Sequence, residues 1–221
     1  MSFLGRSFAV AVLAVFTGGA VQAQSFALTL GDRNLGTLTY AQSGGAATIQ
    51  SSLDNTPMGV FNGSFSASTK ASGTSAQYES ASRSSRKTRD IAVGFAGGKV
   101  GQTVVSPADE MTDLSDPAAA PAGVIDPVSA FGRFVSANGC PEAFRFYDGR
   151  RAILVQPASQ ATADGILTCD LSYRVSHGPG HLSPLYIKKA SVTLRYDLSG
   201  AQRLRQVALS AAGFSLVMNR Q

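Results

Sequence analysis

Alternation with a period of two runs through most of the chain and is clearest between Ile166 and Val175. There Leu167, Cys169, Leu171, Tyr173 and Val175 take one side of an extended backbone, and Thr168, Asp170, Ser172 and Arg174 take the other. Successive side chains of a strand point to opposite faces, so the stretch predicts a strand with one buried face. Ala190, Val192, Leu194 and Tyr196 repeat the pattern, and Ser199-Gly200 turns the chain towards a further strand. Within Gln202 to Ala211, Leu204 is out of phase with Val207 and Leu209, which predicts a bulge near Gln206. Shorter apolar sets precede these: Phe26, Leu28 and Leu30; Leu38 and Tyr40; Ile49 and Leu53; Phe61 and Phe65; Ile91, Val93 and Phe95. Two runs within Ala143 to Val155 flank Asp148-Gly149, a dipeptide suited to a tight hairpin turn, with Phe144 and Phe146 pointing inward. Roughly ten or more short strands predict a mainly β fold, a strongly curved antiparallel sheet closed as a barrel or half-barrel.

One helix is expected among the strands, around 127–136. Asp126 caps it, Pro127 fits its first position, and Val128, Phe131, Phe134 and Val135 form one apolar side. Such a helix buries that side against the concave face of the sheet, with Phe131 as its anchor. Two stretches are expected to be poorly ordered or superficial. Ser64 to Ser85 is rich in Ser, Thr, Ala and Gly, and Ser106 to Gly123 carries Asp109, Glu110, Asp113 and Asp116 and reads as an acidic surface loop.

The first 23 residues have the three parts of a secretory signal: Arg6, an apolar run from Phe8 to Phe16, and small residues ending in Val21-Gln22-Ala23. Cleavage between Ala23 and Gln24 is expected, leaving 24–221 as a single periplasmic or secreted β-rich domain. The apolar run is shorter than the about 20 residues that cross a bilayer, and no later segment qualifies as a transmembrane helix. Removing it leaves 18 Lys and Arg against 14 Asp and Glu, a modest excess of +4. Cys140 and Cys169, 29 positions apart, are an even pair in an oxidising compartment and are expected to form a disulfide. A metal pair or a reactive thiol is the competing reading, but this spacing lacks the close partners of a zinc site.

Candidate sites are few. His177 and His181 bracket Gly178-Pro179-Gly180, which forbids the helix that would bring two imidazoles together, so a turn with two exposed histidines is expected and no metal site. Arg83, Arg86, Lys87 and Arg89 form a basic cluster that suits an anionic surface, or else a solvated strand end; without interleaved aromatics it does not suggest nucleic acid. No Gly-x-Ser-x-Gly elbow, Walker loop or Rossmann fingerprint occurs, and neither a catalytic set nor a cofactor is expected.

The order Asp126-Pro127-Val128-Ser129-Ala130, Cys140, Asp148-Gly149-Arg150-Arg151, Cys169 and Tyr173 resembles a family of exported Gram-negative proteins known as a domain of unknown function. The resemblance covers 126–178 most specifically and 36–65, with its Thr56-Pro57-Met58-Gly59-Val60 turn, more loosely. It implies an antiparallel β-rich periplasmic domain and carries no activity, substrate or catalytic residue. The Ser-rich segment before Arg83 and the turn from His177 to His181 depart from the pattern.

The expectation is therefore a non-enzymatic envelope protein. Its concave face, with Phe131, Phe134, Phe144 and Phe146 as candidate ligand-facing or core residues, shelters an apolar, lipid-like ligand. Alternatively the interior is packed and an outer surface docks another envelope protein. A hydrolase is the third class, and it requires a nucleophile and a base within hydrogen-bond reach.

Overall fold

The computed structural model describes residues 22–57, 62–85, 87–181 and 186–221. Fourteen strands form one sheet. They are β1 (Gln22–Leu30), β2 (Arg33–Ser43), β3 (Ala46–Leu53), β4 (Gly63–Ser72), β5 (Ser75–Ser84), β6 (Thr88–Ala96) and β7 (Lys99–Ser106). After the helix come β9 (Phe144–Tyr147), β10 (Ala152–Ala163), β11 (Ile166–His177), β12 (Lys189–Asp197), β13 (Arg203–Ala211) and β14 (Phe214–Arg220), with β8 (Val124–Ile125) just before it. The spatial order β7-β6-β5-β4-β3-β2-β1-β14-β13-β12-β11-β10-β9-β8 is an unbroken run of neighbours in which the first and last long strands meet at the centre. Phe26 lies opposite Arg220, and the Ser25 carbonyl and hydroxyl both bond Gln221. Every pair is antiparallel except β8 with β9, which is parallel. At the ends of the run, Gly123 and Val124 donate to the Gly98 carbonyl in the β6–β7 turn, so the sheet is a nearly closed barrel.

The alternation predicted for β11 and β12 is present, with Cys169, Leu171, Val192, Leu194 and Tyr196 buried. The bulge is present too. Arg195 pairs with Gln206 while the next residue, Tyr196, pairs with Leu204, so Arg205 is the extra residue that restores Leu204 to the inner face. The stretch Ser64 to Ser85, expected to be loosely ordered, forms the β4–β5 hairpin instead. Its inward positions Phe65, Ala67, Thr69 and Tyr78 do alternate, but serines and alanines between them hide the apolar contrast. Phe61 lies outside the described residues.

Helix α1 (Pro127–Val135) occupies the concave face, touching β3, β4, β9 and β13. Asp126 caps it by accepting from the Ser129 amide at 2.9 Å, and is itself buried and bonded by Thr69 of β4. The wall presses close on the helix. A Cβ at Gly132 would stand 2.7 Å from the Tyr40 hydroxyl oxygen. Tyr196 of β12 donates to the Phe134 carbonyl at 2.8 Å, tying the helix to the opposite wall. Cys140 and Cys169 form the disulfide, with Cα atoms 5.6 Å apart, and so fasten the segment after α1 to β11.

The acidic stretch Ser106 to Gly123 is not a simple surface loop. It makes three short 3-10 turns, Ala108–Glu110, Asp113–Ser115 and Pro117–Ala119, that lie along β7. Glu110, Leu114 and Ser115 are buried. Covering β7 removes an exposed sheet edge, which otherwise invites pairing with another chain. Tyr147, fully buried, donates to the Leu114 carbonyl at 2.5 Å and holds this cover down.

Candidate functional site

The inner face is built around an aromatic run. Phe131 meets Phe26 edge-on at 5.8 Å and Tyr40 at 5.6 Å, and contacts continue through Phe134, Phe144, Phe146 and Tyr173 to His181. Ring centroids at such separations are in favourable packing range. All four phenylalanines singled out from the sequence are therefore brought together, Phe144 buried and the other three partly buried. They pack on one another and on α1, and the Arg133 guanidinium lies 5.1 Å over the Phe144 ring.

Two concavities stand out among the described residues. The smaller, about 190 Å³, opens at the end of the barrel where the N-terminus of α1 faces β4, β5, β6 and the turn after β9. Phe65, Tyr78 and Phe146 supply aromatic walls, Ser80 and Ser82 hydroxyls, and Arg89, Arg150 and Asp148 charges. Burial above all, with the charges of Asp148 and Asp126, raises the Tyr78 phenol well above its ordinary range, against a hydrogen bond from Ser80. Tyr78 thus stays a protonated donor at any physiological pH. The larger concavity, about 460 Å³, is an open groove on the outer face of β3 to β7, walled by small residues such as Ser66, Ser68, Ala81 and Ala92 beside Glu79 and half-exposed Val104.

The basic cluster is drawn into an ion-pair network around the buried Glu110. Lys87 and Arg89 pair with its carboxylate, and Arg150 Nη2 approaches it at 3.2 Å while Arg150 Nε donates to the Glu110 carbonyl at 2.5 Å. Burial on its own raises the Glu110 carboxyl, but hydrogen bonds from Lys87 and Arg89 and the charges of Arg89 and Arg150 outweigh it and leave the group below its ordinary value. Arg83 pairs with Asp90 at 2.6 Å, and Arg86 lies outside the described residues. Nothing local in the sequence gives Arg150 a role of its own. Its position in Asp148-Gly149-Arg150-Arg151 is the available signal, since Asp148 Oδ1 accepts from the amides of Arg150 and Arg151 and the two side chains go to different partners, Glu110 and His181. The turn is four residues long, and only Gly149 takes positive φ, 93°. A Cβ there would lie 2.4 Å from Ile91 Cγ2, so the turn packs directly on β6.

The two histidines are not alike. His177 is exposed, as expected. His181 is not: Arg151 Nη1 stands 2.8 Å from its Nδ1, and Tyr173 Oη stands 2.7 Å from its Nε2. A guanidinium only donates, so Nδ1 accepts and the neutral ring carries its proton on Nε2, directed at Tyr173. Burial first and the Arg151 charge second push His181 down to about 4, with Asp148 opposing. The Gly-Pro-Gly turn hides this environment in the sequence, because Arg151 comes from the distant turn between β9 and β10. Arg151 Nε lies 3.2 Å from Asp148 Oδ2, close enough for charge attraction but without hydrogen-bond alignment.

No group of three His, Cys, Asp or Glu with metal-binding geometry occurs among the described residues. No described helix is long and apolar enough to cross a membrane. No protein-family model matches the chain, and none of the curated proteins matches it. Among solved structures, the chain is similar to the β-barrel-like protein of domain of unknown function DUF1849 from Brucella abortus, at 14% identity and a TM-score of 0.48, over 90% of this chain and 94% of that one.

Proposed function

We propose that the protein is a non-catalytic binding module of the cell envelope, exported by its first 23 residues, that holds a small apolar ligand in the pocket at the mouth of the barrel. The observation that carries this reading is the pocket's construction: three aromatic walls where Pro127, at the start of α1, faces the inner positions of β4 to β6. At about 190 Å³ the space equals about six waters of liquid and falls below the roughly 300 Å³ at which drug-sized sites begin. It suits a ring or a short chain rather than a whole lipid. Catalysis finds no support in the one Ser–His contact among the described residues, at the end of β11. Ser176 gives its proton to the Ala152 carbonyl, so His177, 3.0 Å away, donates to the serine instead of accepting from it.

Titration with 2-phenylethanol, followed by NMR shifts of Tyr78 and Phe146, tests the reading. Saturable binding is expected in the parent and loss of it in Ser82→Leu, which fills the pocket and leaves every ion pair in place. Binding unaffected by Ser82→Leu, or a stoichiometric long-chain lipid in an organic extract of the purified protein, would overturn it.

The outer groove favours a second reading, docking of another envelope protein. Its outward residues are small enough for a partner's side chain to reach the backbone, and Glu79 has no polar partner among the described residues, so the fitting segment is apolar with a basic neighbour. A photocrosslinker at Ala92 would give a discrete adduct in intact cells and one at Arg205 would not; equal labelling removes the case for docking here.

A further inference from the structure

The mouth pocket is walled like an apolar site, yet two guanidiniums line it. Around Glu110 stand three cations, Lys87, Arg89 and Arg150, with a side-chain exposure of 25% for Arg89 and 14% for Arg150. One carboxylate therefore answers three positive charges. Asp148 also lines the pocket, but its Oδ2 faces a further cation, Arg151, and its Oδ1 accepts from two backbone amides, so it offsets the surplus only in part. The hydrogen bonds of Arg89 to Glu110 use Nε and Nη2, and the contacts of Arg150 use the same two atoms. Neither Arg150 nor Arg89 spends all its donors on Glu110: Arg150 Nη1 has no hydrogen-bond partner among the described residues, and Arg89 Nη1 has none either. The crowding leaves a trace on Arg150, which burial first, and then the charges of Arg89 and Arg151, hold below the ordinary arginine value against the pull of Glu110 and Asp148.

A half-buried surplus of guanidinium beside aromatic walls matches one ligand chemistry. Arginine donors are a planar fork that fits a carboxylate, and such charge-assisted bonds are about twice as strong as neutral ones. Resting on the reading that this pocket binds a small apolar group, we propose that its ligand is an aryl or short acyl carboxylate, the apolar body between Phe65, Tyr78 and Phe146 and the carboxylate at Arg89 and Arg150.

The experiment compares phenylacetate with its neutral counterpart 2-phenylethanol by calorimetry and NMR on the full mature chain at low salt, with acetate and inorganic phosphate as headgroup-only probes. Phenylacetate is expected to bind at least about tenfold more tightly than the alcohol, with the advantage shrinking as salt rises and with acetate and phosphate binding far more weakly. Arg150→Gln should erase the advantage and Arg150→Lys should restore only part of it, with NMR spectra of each variant outside the pocket matching the parent; an advantage that survives Arg150→Gln in a folded variant would overturn the assignment. Equal affinity for acid and alcohol would overturn the carboxylate while leaving the pocket standing. Absence of binding by both would overturn the two together, and phosphate binding as tightly as phenylacetate would reassign the cluster to inorganic anions.

Discussion

His181 sits between a permanent cation and a phenol, and that setting has a consequence for stability. Its ordinary value of 6.5 falls to about 4 in the folded chain. The unfolded chain therefore takes up a proton between these values while the folded chain resists it, so stability is full above about pH 6.5 and is lost as pH falls towards 4. Between pH 7 and pH 5 the loss comes to about 2 kcal/mol by linkage. Urea melts at the two pH values should show it in the parent and much less of it in His181→Gln; equal slopes would contradict the assignment. Glu110 acts in the same direction lower down: its depressed carboxyl stabilises the fold above its ordinary value of 4.5, and the contribution disappears as acid protonates it. Neither residue stood out in the sequence for this role. His181 depends on Arg151, 30 positions away, and Glu110 looked like one acid among four in a loop, because the arginines that bury it arrive from β6 and from the turn after β9.

Among the elements, α1 does the most to fill the barrel. Phe131 touches residues of β1 and β2 on one side and Phe134 on the other, so both halves of the core converge on it. Phe131→Ala is expected to cost about 3–5 kcal/mol, read as a fall in the denaturation midpoint, and a loss under about 1 kcal/mol would show that the helix does not anchor the core. This helix was readable because its signals are local: an aspartate cap, a proline at the first position and apolar residues spaced by turns. The strongly alternating strands β11 and β12 were readable for the same reason, and so was the bulge at Arg205, since a single extra residue shifts the phase of everything after it. The β4–β5 hairpin was not. Its inner face includes Ala67, Thr69, Ser80 and Ser82, residues too small or polar to register as a core, and small side chains there are what leave room for α1 and for the mouth pocket.

On the scale of the whole molecule, one covalent link joins the filling to the wall. The Cys140–Cys169 bridge closes a loop across 29 positions, a restriction of the unfolded chain that stabilises by about 3–4 kcal/mol. Cys140→Ser, Cys169→Ser and the double change should lower the melting temperature alike, because each opens the same ring; a double variant that melts with the parent would show the bridge to be dispensable. The curved antiparallel sheet followed from the sequence, whereas its order did not. Nothing local says that β1 and β14 are neighbours or that β8 runs parallel to β9, since both pairings depend on how the wall closes. The meeting of β1 with β14 also means that the covalent start and finish of the wall are an accident of where the chain was opened. A short flexible bridge from Gln221 to Gln24, with a new opening at the tight Asp164-Gly165 turn, should give a circularly permuted protein that folds to the same barrel and melts within a few degrees of the parent.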